Sequence, residues 1–542
     1  MSVLTEAAQA NAVTDGDAEQ KVLDGLEAGV MAGLLTEPAT GRVRFAHALV
    51  RDTLYTDLVG VHRARLHARL AEVLRLRRPD DLAALAHHFA RSGMPETALL
   101  AVEYAVGAAE LAERRYAHDT AVELLSQAIE SFALIPGAQN EPPWRLVALL
   151  GRLLRTQGRA GMTLRARATR QRAIEAAQNL CHDDLVSVAL DARSGPAASL
   201  SGPHGLIDPT AIATFVDRLF ARADLDPAVL VRLPLLSADA GTRAAERQLA
   251  VARAVGDHLL LACALTRMAA VAPHKLPADR RELLAADIRA LGYTHDLPAN
   301  TWVREHVGGM AAGARNDAAG VRRHAEEGLA LTRRYRLVEA EAVNLSTMAM
   351  LAHVEGRFDE AEARYADVRD RMRRNGSSQG DLVYALGLIT IRLNEGRHQE
   401  IEPLLWTLYE MSAPGSENAL GLVLARQGKL AQAHALRCPA SPVPDHLYGI
   451  VLAIRAELTV LLGDKTAAQA LLPLLLPVRD QLAGAASTSF ASRPLAHPLG
   501  QLYRLLGDEP EAQRQFAHAE KVAWQWGSAH LAAAARASAV NP

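Results

Sequence analysis

The sequence predicts an all-α protein: a long superhelix of helical hairpins, preceded by a small unit carrying one short β-hairpin. Three observations lead there. From about Asp80 onward leucine and alanine recur every three or four residues, glycines and prolines fall between segments, and nothing alternates long enough to make a strand. Leu499–Ala519 (LGQLYRLLGDEPEAQRQFAHA) sets small residues at Gly500, Ala512 and Ala519, where two helices can approach. It sets Tyr503 and Phe516 where large side chains fill the gap beside the next pair. Near the start, Arg42-Val43-Arg44-Phe45 alternates arginine with apolar side chains, the period of a strand.

In chain order, the first fifteen or so residues have little bulky apolar content and read as disordered or as the remnant of a longer element. Gln20–Leu35 (QKVLDGLEAGVMAGLL) is an amphipathic helix. Gly41 opens the strand, and a second helix starts near Ala46 with Leu49, Val50, Thr53, Leu54, Tyr55 and Leu58 at helical spacing. Helix, hairpin and helix together make a small winged-helix unit. The next helix, Val61–Arg78, buries Leu66, Leu70, Val73 and Leu74. Its Arg63, Arg65, Arg69, Arg75, Arg77 and Arg78 face Glu72 alone among acids; they read as a solvated face, with a phosphate-binding stripe as the competing reading. Arg165, Arg167, Arg170 and Arg172, and Arg369, Arg371, Arg373 and Arg374, read the same way.

Helix pairs follow at Pro95–Ile135 and Pro142–Asn179. Turn markers then recur at Asn316, Gly356, Gly396, Gly428, Gly463 and Gly507, spaced 32 to 44 residues apart and scattered about the 34-residue tetratricopeptide period. Ala349, Ala361 and Tyr365 fit that pattern, as do Leu420-Gly421 with Ala433, and Ala456 with Ala468 and Leu472. Ile135–Pro143, Ser194–Pro209 and Pro273–Pro277 are loops rich in Gly, Pro and Ser. The expected division is a partial winged-helix domain at 1–78, first helical repeats at 79–193 and a tetratricopeptide-like array at 194–542.

Composition removes several functions. With 59 basic against 61 acidic side chains, a net charge of −2 gives no overall pull toward nucleic acid. A Walker A loop needs Gly-Lys-Ser/Thr, yet only Lys465 precedes a hydroxyl residue, with Asp464 before it and Thr459 where the first glycine belongs. Cys181, Cys263 and Cys438 lie far apart and read as buried thiols of a reducing compartment. The most apolar run, Ala470–Val478, is too short to span a bilayer and holds Pro473 and Pro477, so a cytoplasmic chain is expected.

No metal site is expected: His87 and His88 are adjacent and so point to different helix faces, and His62 and His67 are five apart. Gly376-Ser377-Ser378-Gln379-Gly380 would make Ser378 a nucleophile, but an arginine-rich helix precedes it where the elbow needs a strand. No catalytic residue and no cofactor of its own is expected.

LDGLEAGVMAGLLTE, GRVRFAHALVRDTLY, RARLHARLAEVL and LAALAHHFARSG, in that order, resemble the junction after the ATPase of STAND-type bacterial transcriptional regulators, the class of the antibiotic regulatory proteins and large LuxR-type activators. The resemblance covers roughly residues 20–130. It implies that the winged helix packs on an ATPase and that the repeat array senses a ligand. It also implies that His47 touches the phosphate of bound nucleotide, provided an ATPase domain is present; otherwise His47 is a solvent-facing or helix-capping residue. The implied role is a non-enzymatic sensor or scaffold module that binds a protein, peptide or small effector on the concave face of the superhelix. A separate ATPase or DNA-binding chain is a possible partner, membranes are excluded and direct nucleic-acid binding is disfavoured. The alternatives are a stand-alone DNA-binding regulator using the winged helix, and a repeat-fold enzyme betrayed by a pocket of perturbed titratable groups.

Overall fold

A computed structural model describes residues 15–39, 42–137, 144–160, 162–178, 230–231, 238–271, 278–295, 298–335, 337–374, 379–411, 413, 415–436 and 446–540. Among them the regular structure is α-helix and short 3-10 turns, apart from one two-stranded antiparallel hairpin and one isolated bridge, so the fold is all-α. The expected loops at Ser194–Pro209 and Pro273–Pro277, most of that at Ile135–Pro143, the first fourteen residues, Gly41, Cys181 and Cys438 lie outside the described residues. No described helix is long and apolar enough to cross a membrane. The chain divides into two compact units, residues 1–160 with 165–192, and 161–164 with 193–542.

The first unit runs α1 (Asp15–Met31), β1 (Leu35–Ala39), β2 (Arg42–Phe45), α2 (Ala48–Asp57), α3 (Gly60–Arg77), α4 (Leu82–Ser92), α5 (Ala98–Arg114), α6 (His118–Phe132), α7 (Trp144–Arg159) and most of α8 (Thr163–Gln178). The first helix ends short of the expected Leu35. Gly33 takes φ +69, a left-handed conformation that stops the helix, and Leu35 is released to pair with Phe45 across the hairpin. Asp81 caps α4, its carboxylate accepting the Ala84 N–H at 3.2 Å. From α3 to α7 each helix packs on the next. Buried Ala71, Leu74, Leu85, Phe89 and Ala101 bind α3, α4 and α5, and Ala86, Ala105, Ala108 and Ala128 bring α4, α5 and α6 close together.

The second unit runs α9 (Ala238–Val255), α10 (His258–Val271), α11 (Ala278–His295), α12 (Pro298–Ala314), α13 (Ala318–Tyr335), α14 (Val338–Val354), α15 (Phe358–Arg374) and α16 (Gln379–Glu395). It continues through α17 (Glu402–Glu410), α18 (Ser416–Arg426), α19 (Leu430–Ala435), α20 (Tyr448–Leu462), α21 (Lys465–Leu475), α22 (Ala496–Leu506), α23 (Glu509–Gln525) and α24 (Ala529–Val540). Contacts run mainly from each helix to its neighbours in sequence, the mark of a repeat array. All six turn markers, Asn316, Gly356, Gly396, Gly428, Gly463 and Gly507, have positive φ. In the best repeat Leu499, Ala512, Phe516 and Ala519 are buried; a Cβ on Gly500 would stand 2.8 Å from the Phe516 ring, so only glycine lets α22 and α23 meet there. Gly387 makes the same allowance for Tyr365, whose ring would lie 2.5 Å from a Cβ.

Sequence periodicity did not foretell how this unit ends. Val321, Met350, Leu351 and Val354, from early in the array, share one buried cluster with Val522, Ala523, Trp526, Leu531 and Ala532 from its last helices. The array closes on itself. Trp526 donates its indole N–H to the Asn316 carboxamide at 2.9 Å, and Asn316 also reaches the backbone at Asp480 and Leu482.

Candidate functional site

Three places in the molecule hold chemistry or exposed surface beyond what the fold requires. The first is the N-terminal helix–hairpin–helix. From Gln20 to Leu66 no described side chain is buried, and His67 is the first that is. The apolar side chains placed there by the helical pattern are left in water: Met31 is 84% exposed, Leu49 79% and Val59 73%, with Leu34, Phe45, Leu54 and Val61 also exposed. Exposed apolar side chains gathered at such density are a feature of interaction surfaces.

His47 sits in this region, exposed, at the N-cap position of α2; its side chain makes no capping bond. The arginines of α3 divide as the periodicity suggests: Arg65, Arg75, Arg77 and Arg78 are exposed, while Arg63 lies half-buried over the Tyr55 ring at 5.0 Å. Leu66, expected in the core, is exposed instead.

The second place is the interior of the closed array, which is already filled. Gln481–Leu495 forms a compact Ω-loop closed by Leu495 N–H to Gln481 O (3.0 Å), Ala483 N–H to Arg493 O (2.9 Å) and Ser492 N–H to Ala483 O (2.9 Å). Helices distant in sequence hold it. Tyr365 of α15 donates to Ser489 O at 2.7 Å and stacks on Phe490, Asn394 of α16 donates to Ser492 O at 3.2 Å, and Glu457 of α20 pairs with Arg493 at 2.6 Å. Glu457 is itself buried and takes a second arginine, Arg426, at 2.5 Å, so its charge is compensated from both sides. At the loop tip Thr488 has φ +58, a conformation that a β-branched residue keeps only when its surroundings impose it. On the wall beside it, burial pushes the His306 imidazole down to about 4.

The third place brings together histidines that the sequence reading kept apart. His87 and His88 do lie on different faces of α4, but a residue on the neighbouring helix can meet both when it packs over the edge between them. His67 of α3 does so. Its Nδ1 lies 2.8 Å from Nδ1 of His88, its Nε2 lies 2.9 Å from the Tyr55 hydroxyl, and the three rings are 5.1 to 5.8 Å apart, centre to centre. Burial, with neighbouring positive groups, lowers all three imidazoles below their usual range, His88 to about 4. A second gathering, Glu305 with His324 and Glu327, stands between α12 and α13, where Glu305 is buried against Arg304 and 2.7 Å from His324. Ser378 lies outside the described residues.

No family model matches this chain, and no curated protein does. Among solved structures it is similar to a Signal Transduction ATPase with Numerous Domains from Pyrococcus horikoshii, a protein with a tetratricopeptide repeat sensor. Identity is 11% over 80% of this chain, and the TM-score is 0.30; the match spans 62% of that protein's length. It is also similar to a circular tandem repeat protein, at 14% identity over 99% of this chain and 96% of the other, with a TM-score of 0.11. Superpositions this loose carry no argument about function.

Proposed function

We propose that this chain is the non-catalytic sensor or scaffold module of a transcriptional regulator, and that its N-terminal helix–hairpin–helix is a winged helix that docks on a partner. Under this reading residues 1–78 dock, 79–193 form the first repeats and 194–542 form the sensing array. The partner is a separate P-loop ATPase or DNA-binding chain. The observation that carries the proposal is the surface from Gln20 to Leu66, helical and apolar yet without one buried described side chain. Covering such surface stabilises by about 25 cal/mol per Å² of apolar area, and this stretch leaves that gain to a partner. His47, exposed at the start of α2, is then available to a nucleotide held by that partner.

The occupied interior of the second unit alters how an effector would act. A ligand of the array either binds outside the Ω-loop or displaces it. In the second case the loop is part of the switch, because the ligand must favour the loop-out state over the loop-in state to shift the balance.

The test is pull-down of a P-loop ATPase or DNA-binding chain from the source cells, identified by mass spectrometry, with wild type and with the double substitution Leu49→Asp, Val59→Asp as bait. A stoichiometric complex lost in the double variant is the expected result. The competing reading, DNA binding through the α3 arginines, predicts that the chain alone retains random duplex DNA with an affinity falling steeply with salt. That outcome, with no complex formed, would overturn the docking proposal.

A further inference from the structure

We propose that His67, His87 and His88 form a three-histidine site for a divalent transition-metal ion of the zinc type, clamping α3 to α4. Zinc holds imidazole nitrogens at about 2.0–2.1 Å in a tetrahedral array, which separates neighbouring ligand nitrogens by about 3.3 Å and ring centres by about 5 Å. The three rings stand at 5.1, 5.1 and 5.8 Å, and one ligand nitrogen from each can be chosen so that all lie within 4.8 Å of one another. The rings are already spaced as an ion would space them; the His67–His88 nitrogen pair, at 2.8 Å, need only part by about half an ångström.

Two further features fit a site rather than a packed pair. Tyr55 Oη lies 2.9 Å from Nε2 of His67, the kind of outer contact that fixes a ligand ring's orientation and leaves Nδ1 toward the ion. A packing role accounts for His67 and for His88, but His87 is exposed and has no core to fill. That exposure also leaves the fourth coordination position open to solvent. Arg63 and Arg91, both close enough to act on His67, favour an anion there, hydroxide or a carboxylate brought by a partner.

The experiment is titration of the full chain, stripped with a chelator, with Co²⁺ as the spectroscopic probe and then Zn²⁺ in competition. One equivalent of Co²⁺ is expected to raise the intense visible bands of a four-coordinate ion, and Zn²⁺ to abolish them and raise Tm. His87→Ala removes an exposed side chain, so the apo protein should keep its circular dichroism and Tm while its affinity falls about a hundredfold or more. Tyr55→Phe should weaken binding about tenfold. His324→Ala, in the Glu305–His324–Glu327 cluster, should change nothing. Absence of stoichiometric binding, or binding that survives His87→Ala, overturns the proposal; loss on His324→Ala alone moves the metal to the other cluster and overturns it equally.

Discussion

The N-terminal helix–hairpin–helix and the C-terminal half of the array are built from the same kind of amphipathic helix, yet they finish differently. In the array α12, α13 and α14 share a buried cluster with the last helices, and the chain supplies its own filling at Gln481–Leu495. From Gln20 to Leu66 the helices form and no described side chain is buried. Secondary structure is therefore no measure of completion: one region satisfies its apolar faces internally, the other leaves apolar side chains exposed. The contrast can be broken by substitutions that treat the two regions alike and compare what each loses.

The largest loss is expected at Tyr365. Tyr365→Ala empties a fully buried site under the Ω-loop and should cost about 3–5 kcal/mol in urea unfolding. An effect under about 1 kcal/mol would mean that the loop does not depend on its support.

Acid comes next. Burial holds His353 and His497 at about 3, against about 6.5 in the unfolded chain. The unfolded state binds protons that the folded one refuses, so the stability both contribute is present above about 6.5 and drains as pH falls from there toward about 3. At pH 5 the loss should be about 2 kcal/mol for each, read as a falling Tm between pH 7 and pH 5. His353 faces His530, Phe358 and Asn394, and His497 faces Arg493, Phe516 and Ser538; none of these offers a carboxylate to stabilise an imidazolium. A Tm unchanged down to pH 5 would contradict this account.

Asn316→Gly should cost about 1–2 kcal/mol and speed proteolysis within 481–495, since it strands the Trp526 indole and the Leu482 amide. Glycine tolerates the φ of +60 at this position, whereas alanine would add strain of about 1 kcal/mol. Smallest of all, Leu49→Asp with Val59→Asp should change the stability of the isolated chain by no more than about 0.5 kcal/mol. A larger loss would show that the N-terminal face is covered from within.

Local signals were legible and long-range ones were not. Asn316, Gly356, Gly396, Gly428, Gly463 and Gly507 could be placed because left-handed turns restrict composition, and Ala361, Tyr365, Ala512 and Phe516 because helix pairs need small residues opposite large ones. Closure of the array depends on Val321 and Val522 joining one cluster and on Asn316 meeting Trp526, relations that leave no periodic trace. The Ω-loop, rich in Ala and Ser, has the composition of a surface connection although Ser487, Thr488 and Ser492 are buried. The histidine cluster was missed for a geometric reason: a rule about faces of one helix ignores what a second helix presents between them.

The bond from Asn316 to Trp526 spans 210 residues. At about 5–20 residues per second, a ribosome takes about 10–40 s to add the partner after it has added Asn316. Through that interval Val321, Met350 and Leu351 have no lid, so the nascent chain offers chaperones an apolar target that the finished protein has withdrawn.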